Sequence, residues 1–278
     1  MKRIVSIFVA FSALLSCTEA YIPQPDPYVP APGTCIFKAQ VELPDGEWIW
    51  DAVHDKVGVY ADNLTNAPFQ PRAAFDGKSG TIELMGEGAM GQAYAYLPYS
   101  FYGEESVREC RQPLPESQSY QDNAIDQIRQ NTTLVAAADK DGSFRFRYLC
   151  GALHIQVKMH FGEKVQRVTL SSSEPLTGWL DVTGEKEEAV SHPGFSVSIT
   201  GIDRPCTWDS PLDIWVMLPE GSYNGFSITV AGATESLSTV IEGTVRIQAG
   251  QETAPAIAQE KRNEYDGGYL EGEEVDYD

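Results

Sequence analysis

Apolar and polar side chains alternate along much of this chain, which is the pattern of β-strands with one buried face. The alternation is clearest at residues 144–157 and slips by one position at Gly151. The buried set consists of Phe144, Phe146, Tyr148 and Cys150 before the slip, and of Leu153, Ile155 and Val157 after it. A slip beside a glycine predicts a bulge or a sharp bend, because the buried side chains would otherwise change faces. We expect this segment to leave one sheet, to enter another and to begin a second β-domain.

The same alternation predicts strands on both sides of this segment. They cover residues 35–43, 56–60, 81–85, 93–99, 165–171, 176–182, 195–199, 212–218, 226–230 and 238–248. Turns that contain Gly, Pro and Asp separate them at intervals typical of β-sandwiches. Residues 102–133 are expected to be a long irregular connection, in which residues 122–130 have the pattern of one or two helical turns. The fold class is therefore predicted as all-β, with two tandem β-sandwich domains at residues 34–140 and 141–250.

The N-terminus has the layout of an export signal. A basic start precedes an apolar run that is too short to span a membrane as a mature helix. The run ends in Leu14-Leu-Ser-Cys17, which fits a bacterial lipobox. We therefore expect residues 1–16 to be a signal peptide and Cys17 to carry the lipid that holds the protein on a membrane. An ordinary signal peptide cut near Ala20 is the alternative.

Two segments outside the predicted domains have compositions that do not favour a packed core. Residues 17–33 are rich in proline and predict an extended linker between the lipidated cysteine and the fold. Residues 251–278 are rich in glycine and acidic residues and predict a disordered acidic tail. The whole chain of 278 residues has a formal net charge of −20, which argues against binding to nucleic acid because nothing neutralises the phosphates.

Four cysteines besides Cys17 follow the signal peptide, and an exported protein is in a compartment that permits disulfides. They are Cys35, Cys110, Cys150 and Cys206. Three pairings are possible, and the sequence does not choose among them. Isolated buried thiols are the alternative, and no spacing of Cys and His suggests zinc.

Few motifs point to chemistry. Gly86-Glu-Gly-Ala-Met-Gly91 matches a dinucleotide-binding pattern, but no helix is predicted after it to receive a pyrophosphate, so a loop is the better interpretation. Residues 139–142 are predicted to form a β-turn rather than a calcium loop. The sequence contains no catalytic or metal-binding motif, so we expect neither an enzyme nor a cofactor.

Tryptophans and one histidine remain as binding candidates. Trp215 alternates out of phase with its apolar neighbours and is expected at the surface. Exposed tryptophans stack on sugars, although a core or rim position is the commoner meaning of this residue. The other tryptophans are Trp48, Trp50, Trp179 and Trp208. His154 is expected to be solvated or to contact a neighbouring strand, since it lies opposite Leu153 and Ile155. A surface lipoprotein that binds glycans is therefore one candidate function.

An ordered series of motifs carries a family resemblance. After the lipobox come the strand at residues 34–43 and a tryptophan followed by Asp55-Lys-Val-Gly-Val-Tyr60. Then follow Tyr94-Ala-Tyr-Leu-Pro-Tyr99, Leu114-Pro-Glu-Ser-Gln118, the strand at residues 144–157, Leu218-Pro219 and Phe226-Ser-Ile-Thr-Val230. The series covers residues 14–250 and resembles the fimbrillin-like lipoproteins, which are subunits of type V pili on Gram-negative anaerobes.

The resemblance implies a fold and an assembly mechanism. Each subunit would consist of two transthyretin-like β-sandwiches and would reach the outer membrane as a lipoprotein. A surface protease would cut after Arg or Lys in the loop behind the first strand, and a strand from the next subunit would replace the lost one. The implied partners are other pilus subunits, the outer membrane through the lipid anchor, and host surface ligands. The implied location is the cell surface and the pilus.

The same mechanism can be placed on the residues of this chain. The removable strand would be Cys35 to Leu43, with alternating members Cys35, Phe37, Ala39, Val41 and Leu43. Lys38, Lys56 and Arg72 are the possible cleavage sites. Residues 44–54 lack Arg and Lys, which departs from the family pattern and favours an uncut subunit such as a membrane-proximal anchor. The expected function is therefore a structural subunit or membrane anchor of a type V pilus that assembles by strand exchange and supports adhesion.

Overall fold

The structure is a computed structural model that describes residues 33–43, 48, 50–51, 54–72, 81–100, 110–158, 163–183, 190–207 and 209–254. The predicted signal peptide, Cys17, the linker up to residue 32 and the tail from residue 255 lie outside these residues. Within the described part of the chain, no helix is long and apolar enough to cross a membrane.

Strands dominate the described residues. The first half contains β1 (Thr34–Val41), β2 (Val57–Ala61), β3 (Leu64–Pro71), β4 (Ile82–Glu87), β5 (Tyr94–Leu97), β6 (Arg111–Leu114), β7 (Ser117–Ser119), α1 (Ala124–Gln130), β8 (Leu134–Ala137) and β9 (Ser143–Tyr148). The second half contains β10 (Gly151–Val157), β11 (Val165–Ser171), β12 (Thr177–Asp181), β13 (Val190–Gly194), β14 (Ser196–Arg204), β15 (Leu212–Leu218), β16 (Gly221–Tyr223), β17 (Phe226–Ala231), β18 (Ser236–Ile241), β19 (Val245–Ile247) and β20 (Glu252–Thr253). The prediction of an all-β chain is confirmed, and α1 falls within the segment predicted to form one or two helical turns.

All strands of the first half except β6 and β7 form one sheet that closes on itself in the order β1-β4-β3-β2-β5-β8-β9. Its interior is filled by large apolar side chains with no exposed surface, including Phe69, Leu84, Phe144 and Phe146. Because every strand in a closed sheet has two neighbours, the backbone groups of both its edges are paired.

The second half packs several smaller sheets in a sandwich-like arrangement. A five-stranded sheet has the order β18-β17-β11-β14-β7, and a three-stranded sheet has the order β15-β10-β20. Their apolar faces share one core cluster, which includes Leu153, Ile155, Val168, Leu170 and Ile199. Two further sheets, β13-β12-β6 and β16-β19, complete this half.

The slip at Gly151 marks the point where the chain changes sheets. β9 pairs with β1 and β8, whereas β10 pairs with β15 and β20. A side chain on Gly151 would place its Cβ 2.3 Å from the carbonyl oxygen of Gln248, so glycine is required by this close approach. The expectation that the segment leaves one sheet and enters another is confirmed. Strand pairing changes at residues 149–150, and the domain limits at residues 140 and 141 stay a prediction.

The connection that we expected to be irregular contains two strands that join the other half. β6 pairs antiparallel with β12, and β7 pairs parallel with β14. The expectation was wrong because these strands have only four and three residues. Such short strands leave too few positions for a period of two to be recognised, and β6 also contains Pro113.

Candidate functional site

The candidate site is β1 together with its seat, which we define as the facing edges of β4 and β9. β1 runs antiparallel to β4 from the pair Thr34↔Glu87 to the pair Ala39↔Ile82. On its other side it runs parallel to β9 from Lys38↔Ser143 to Val41↔Phe146. The next residue continues this contact, since Glu42 N–H donates to Phe146 O at 3.0 Å. Loss of β1 would therefore leave two strand edges unpaired.

The alternating side chains of β1 lie against the core of the closed sheet. Ala39 is fully buried, and Phe37 packs on the rings of Phe69 and Phe144 with centroid distances of 5.7 and 4.6 Å. The other predicted members, Cys35, Val41 and Leu43, are half-buried and pack against the same core. Lys38 and Gln40, at the intervening positions, are exposed. The structure thus brings all five predicted residues to one apolar surface, as the period of two requires.

The chain that follows β1 is also fixed to the core. Trp50 is only 2 % exposed and meets the ring of Phe146 edge to face at 6.2 Å. Trp48 packs edge to face on Trp50 at 6.4 Å, and the guanidinium of Arg129 lies 5.7 Å from the centre of the Trp48 ring. A cut behind β1 would therefore remove these two tryptophans together with β1 if it fell after them, and would leave them on the rest of the protein if it fell before them.

Asp55 holds the end of this connection. Its carboxylate accepts a hydrogen bond from Trp48 Nε1 at 3.3 Å and another from the backbone N–H of Asp51 at 2.8 Å. Partial burial raises the pKa of Asp55 above the usual value of an aspartate, although these two hydrogen bonds oppose the rise. The carboxylate therefore has a structural role in this connection.

The three candidate cleavage sites differ in what a cut would release. Lys38 lies inside β1 and is paired on both sides, with Glu83 and with Ser143. Lys56 lies between β1 and β2 and its side chain is exposed, so a cut after it would separate β1 and leave β2 in place.

Arg72 directly follows β3, so a cut after it would separate three strands rather than one. Its backbone N–H donates to Glu83 O at 3.0 Å, and its side chain forms an ion pair with Glu83. Of the three sites, Lys56 is thus the one that matches the release of a single strand.

The chain that carries part of the seat of β1 continues into the second half of the molecule. Phe146 O accepts from Glu42 on the β1 side, and Cys150 O accepts from Gly250 N–H at 2.9 Å. Ala152 N–H donates to Gln251 O at 2.9 Å. The chain bends at residues 149–150, so these contacts belong to two different sheets. β1 pairs in parallel with β9, and β20 pairs in parallel with β10.

An apolar cavity lies beside the junction of β9 and β10 and the start of β20. Its volume is about 410 Å³. It is lined by Ile128, Tyr148, Cys150, Ala152 and Met217 and by residues 250–252. The cavity is large enough to hold an apolar side chain.

His154 and Trp215, two binding candidates outside the seat, contact each other and neighbouring strands. The ring of His154 stacks on Trp215 at 4.5 Å, and its nitrogens lie 3.0 Å from Asp213 and 3.2 Å from Glu252. The expectation of a cross-strand role for His154 is confirmed. Trp215, which was expected at the surface, is half-buried, because His154 covers its ring and Nε1 is buried. Trp48 and Trp179 are half-buried.

The interpretation of Gly86 to Gly91 as a loop holds only from residue 88, because residues 86 and 87 end β4. Gly86 packs its backbone on Phe69, whose ring atoms would lie 2.5 Å from an added Cβ. Gly142 N–H donates to Asp139 O at 2.9 Å, which closes the predicted turn. Among the described residues there is no group of three or more His, Cys, Asp or Glu side chains that could hold a metal ion.

The four cysteines in the described residues are present as thiols and not as disulfides. Cys150 is completely buried, and burial raises its pKa to about 12. Cys35 is only partly buried, and partial burial raises the pKa of its thiol to a smaller extent. The alternative of isolated thiols therefore fits this structure better than a disulfide.

We expect iodoacetamide at pH 8 to label Cys35 in the folded protein and to leave Cys150 unlabelled. With a pKa of about 12, only about one Cys150 thiol in ten thousand is ionised at that pH, and the thiolate is the reactive form. Peptide mass mapping before and after unfolding in urea measures both positions. Labelling of Cys150 at the rate of Cys35 in the folded state would contradict the burial, and a thiol that stays unlabelled in urea until reduction would reveal a disulfide.

No family model matches the sequence, and no curated protein matches it. Solved structures show a distant similarity. One, described as a cell adhesion protein of Bacteroides ovatus, has 17 % identity and a TM-score of 0.49, with 79 % of this chain and 91 % of that chain covered. A fimbrial assembly protein of Parabacteroides distasonis has 10 % identity, a TM-score of 0.39 and coverages of 80 % and 90 %.

A third similar structure is the tip fimbrial protein Mfa3 of Porphyromonas gingivalis, with 9 % identity, a TM-score of 0.36 and coverages of 75 % and 81 %. The descriptions of these proteins name cell adhesion and fimbriae. The family that the sequence resembles is in the same classes. Because all three TM-scores are below 0.5, the function has to be argued from the residues of this chain.

Proposed function

We propose that this chain is a structural subunit or membrane anchor of a type V pilus, that it assembles with other pilus subunits by strand exchange, and that it supports adhesion at the cell surface. The lipid on Cys17 would hold it to the outer membrane. The sequence resemblance indicates the class of protein, and the seat of β1 is the place where strand exchange would occur.

The observation that carries the proposal is the position of β1 in a closed sheet. A strand that leaves this sheet exposes the backbone edges of both β4 and β9 and uncovers the rings of Phe69 and Phe144. Unpaired backbone groups and exposed apolar surface both raise the free energy of the protein without β1. An incoming strand with alternating apolar side chains would pair those groups and cover that surface.

The chain after β1 favours the anchor over a polymerising stalk. Residues 44–54 lack Arg and Lys, and the nearest site that would release only β1 is Lys56. A cut there would also detach Trp48 and Trp50, of which Trp50 is buried against Phe146. An incoming strand would then have to fill the space left by the Trp50 indole ring as well as take the place of β1. An anchor that keeps β1 avoids this requirement.

The N-terminus of the protein taken from cell surfaces tests this proposal. Intact mass and N-terminal sequencing should show a lipidated chain that begins at Cys17 and retains Cys35 to Leu43, bound to pilus subunits that copurify with it. A chain that begins at Val57 and migrates in high-mass ladders resistant to mild heating would instead assign it to the polymerised stalk. A chain that begins at Cys17 and copurifies with no pilus subunit would contradict the pilus function.

Two lysine variants separate a specific cut from general proteolysis. If a stalk form is found, Lys56→Gln should abolish both the new N-terminus and the ladders, because the cut requires a basic side chain at that position. Lys38→Gln is the matched control and should change neither, since Lys38 lies within β1 between two paired strands. Ladders that persist in Lys56→Gln would exclude release of β1 at this site.

A further inference from the structure

β18 is the outermost strand of the five-stranded sheet and pairs with β17 from Ala231↔Ser236 to Phe226↔Ile241 without a register shift. At the turn, Gly232 N–H donates to Glu235 O at 3.0 Å, which makes these two residues a hydrogen-bonded pair. Hydrogen-bonded and non-hydrogen-bonded pairs alternate along an antiparallel ladder. The residues of β18 that do not bond to β17 are therefore Ser236, Ser238 and Val240.

The backbone N–H and C=O groups of these three residues point away from the sheet. No described residue forms a hydrogen bond with them on that side. A short distance of 3.0 Å between the hydroxyl oxygens of Thr229 and Ser238 agrees with this assignment, because side chains approach closely in non-hydrogen-bonded pairs. β18 thus presents a row of donors and acceptors to an incoming strand.

Other strand edges of the second half are protected. The edge of β15 is capped by two glutamine side chains: Gln127 Nε2 donates to Trp215 O at 2.7 Å, and Gln118 bonds both backbone groups of Met217 at 2.8 and 2.9 Å. The edge strand β13 contains Pro193, and His192 has a φ of 50°. At the opposite end of the sheet from β18, the edge strand β7 has only three residues.

β18 has none of these protections. It is six residues long, with the sequence Ser-Leu-Ser-Thr-Val-Ile, and it contains neither a charge nor a proline. Val240, near its end, is 52 % exposed. Native proteins generally protect edge strands with charges, prolines, bulges or a short length, so an unprotected regular edge indicates a place where another strand pairs.

Charge identifies the kind of strand that fits. The exposed residues Glu235 and Glu242 flank β18 directly, and the whole chain carries a net charge of −20. A second copy that paired antiparallel with β18 would bring its own Glu242 to the end of the contact where Glu235 lies, so glutamates would accumulate at both ends. We propose that the edge of β18 binds an extended segment of another protein that is uncharged in its middle and basic at its two ends.

A synthetic peptide tests this proposal on the folded protein. The probe is fluorescein-labelled Lys-Thr-Val-Ser-Thr-Val-Ser-Lys, and fluorescence anisotropy measures its binding at low and high salt. The matched peptide with glutamate at both ends should bind about fivefold more weakly at low salt, because it replaces two favourable ion pairs by repulsion. The difference should shrink at high salt, where exposed charges are screened.

Two substitutions at one position place the binding on this edge. Ser238→Pro removes an outward-pointing N–H without removing a bond to β17, and it should weaken peptide binding about tenfold. Ser238→Ala keeps the N–H and should bind within about twofold of the original protein. Circular dichroism and thermal unfolding confirm that both variants are folded.

The opposite results would overturn the proposal. Equal affinity for Ser238→Pro and Ser238→Ala would show that the backbone edge is not used, and so would equal affinity for the two peptides at low salt. Sedimentation velocity gives a separate outcome: a dimer that is lost in Ser238→Pro would mean that a second copy of this chain occupies the edge. None of these readouts depends on release of β1, so they do not change with the outcome for the proposed pilus function.

Discussion

The Phe144→Ala variant is expected to lose about 3 to 5 kcal/mol of unfolding free energy, the range for truncating a buried phenylalanine. Phe144 has no exposed surface, and its ring contacts Phe37 of β1 at 4.6 Å and Phe146 at 6.0 Å. Truncation leaves a cavity directly beneath β1 and removes two aromatic contacts. Urea unfolding followed by circular dichroism measures the loss, and a shift in the midpoint at constant slope would show that the folded state itself is weakened.

Two matched variants show whether this loss belongs to the seat of β1. Arg145→Ala changes the next residue of β9, whose side chain is 63 % exposed and pairs with Glu42 and Asp139 at the surface. It should cost no more than about 1 kcal/mol. Phe37→Ala should lose an intermediate amount, since this ring is only partly buried. Equal losses for Phe144→Ala and Arg145→Ala would mean that Phe144 is not part of the core that β1 covers.

The alternation along the sequence was enough to locate the side chains of the site. Phe37, Ala39 and Val41 face the core because a strand turns successive side chains to opposite faces, and this rule depends on nothing beyond the strand itself. The change of sheet at Gly151 was visible for the same reason, as a break in the period. The proposal that β1 is the exchanged strand does not follow from any pattern. It came from the family resemblance, and the structure adds the two edges that the strand would leave open.

The contacts that the sequence did not reveal are those between distant residues. Trp215 alternates out of phase with its neighbours, and its ring does lie away from the core that Leu212, Ile214 and Val216 enter, but it packs against the core of the first half. Nothing in the pattern shows that His154, which is 61 residues earlier in the chain, covers its ring. The capping of β15 by Gln118 is a second example, because the two partners are 99 residues apart and β7 is too short to show a period.

The Gln118→Leu variant is expected to lose about 2 to 5 kcal/mol of unfolding free energy, because it leaves two buried backbone groups without partners. Gln118 is 1 % exposed, and its amide bonds both the N–H and the C=O of Met217. Leucine has a similar volume, so the loss reports the hydrogen bonds rather than a cavity. Urea unfolding provides the measurement. Gln40→Leu is the control, since Gln40 is exposed on β1, and it should stay within about 0.5 kcal/mol.

A second substitution at the same position separates the donor from the acceptor. Gln118→Glu keeps the shape and the acceptor for Met217 N–H, but an ionised carboxylate has no hydrogen to give to Met217 O. Burial should raise the pKa of the introduced carboxyl above that in the unfolded chain. Its protonated form is then favoured by folding, so the variant should be closest to the original protein at acidic pH and should lose stability as pH rises through that raised pKa. A loss that is independent of pH would show that the carboxyl reaches water. The amide of Gln118 would then not protect the edge of β15. The difference between this protected edge and the unprotected edge of β18 would disappear.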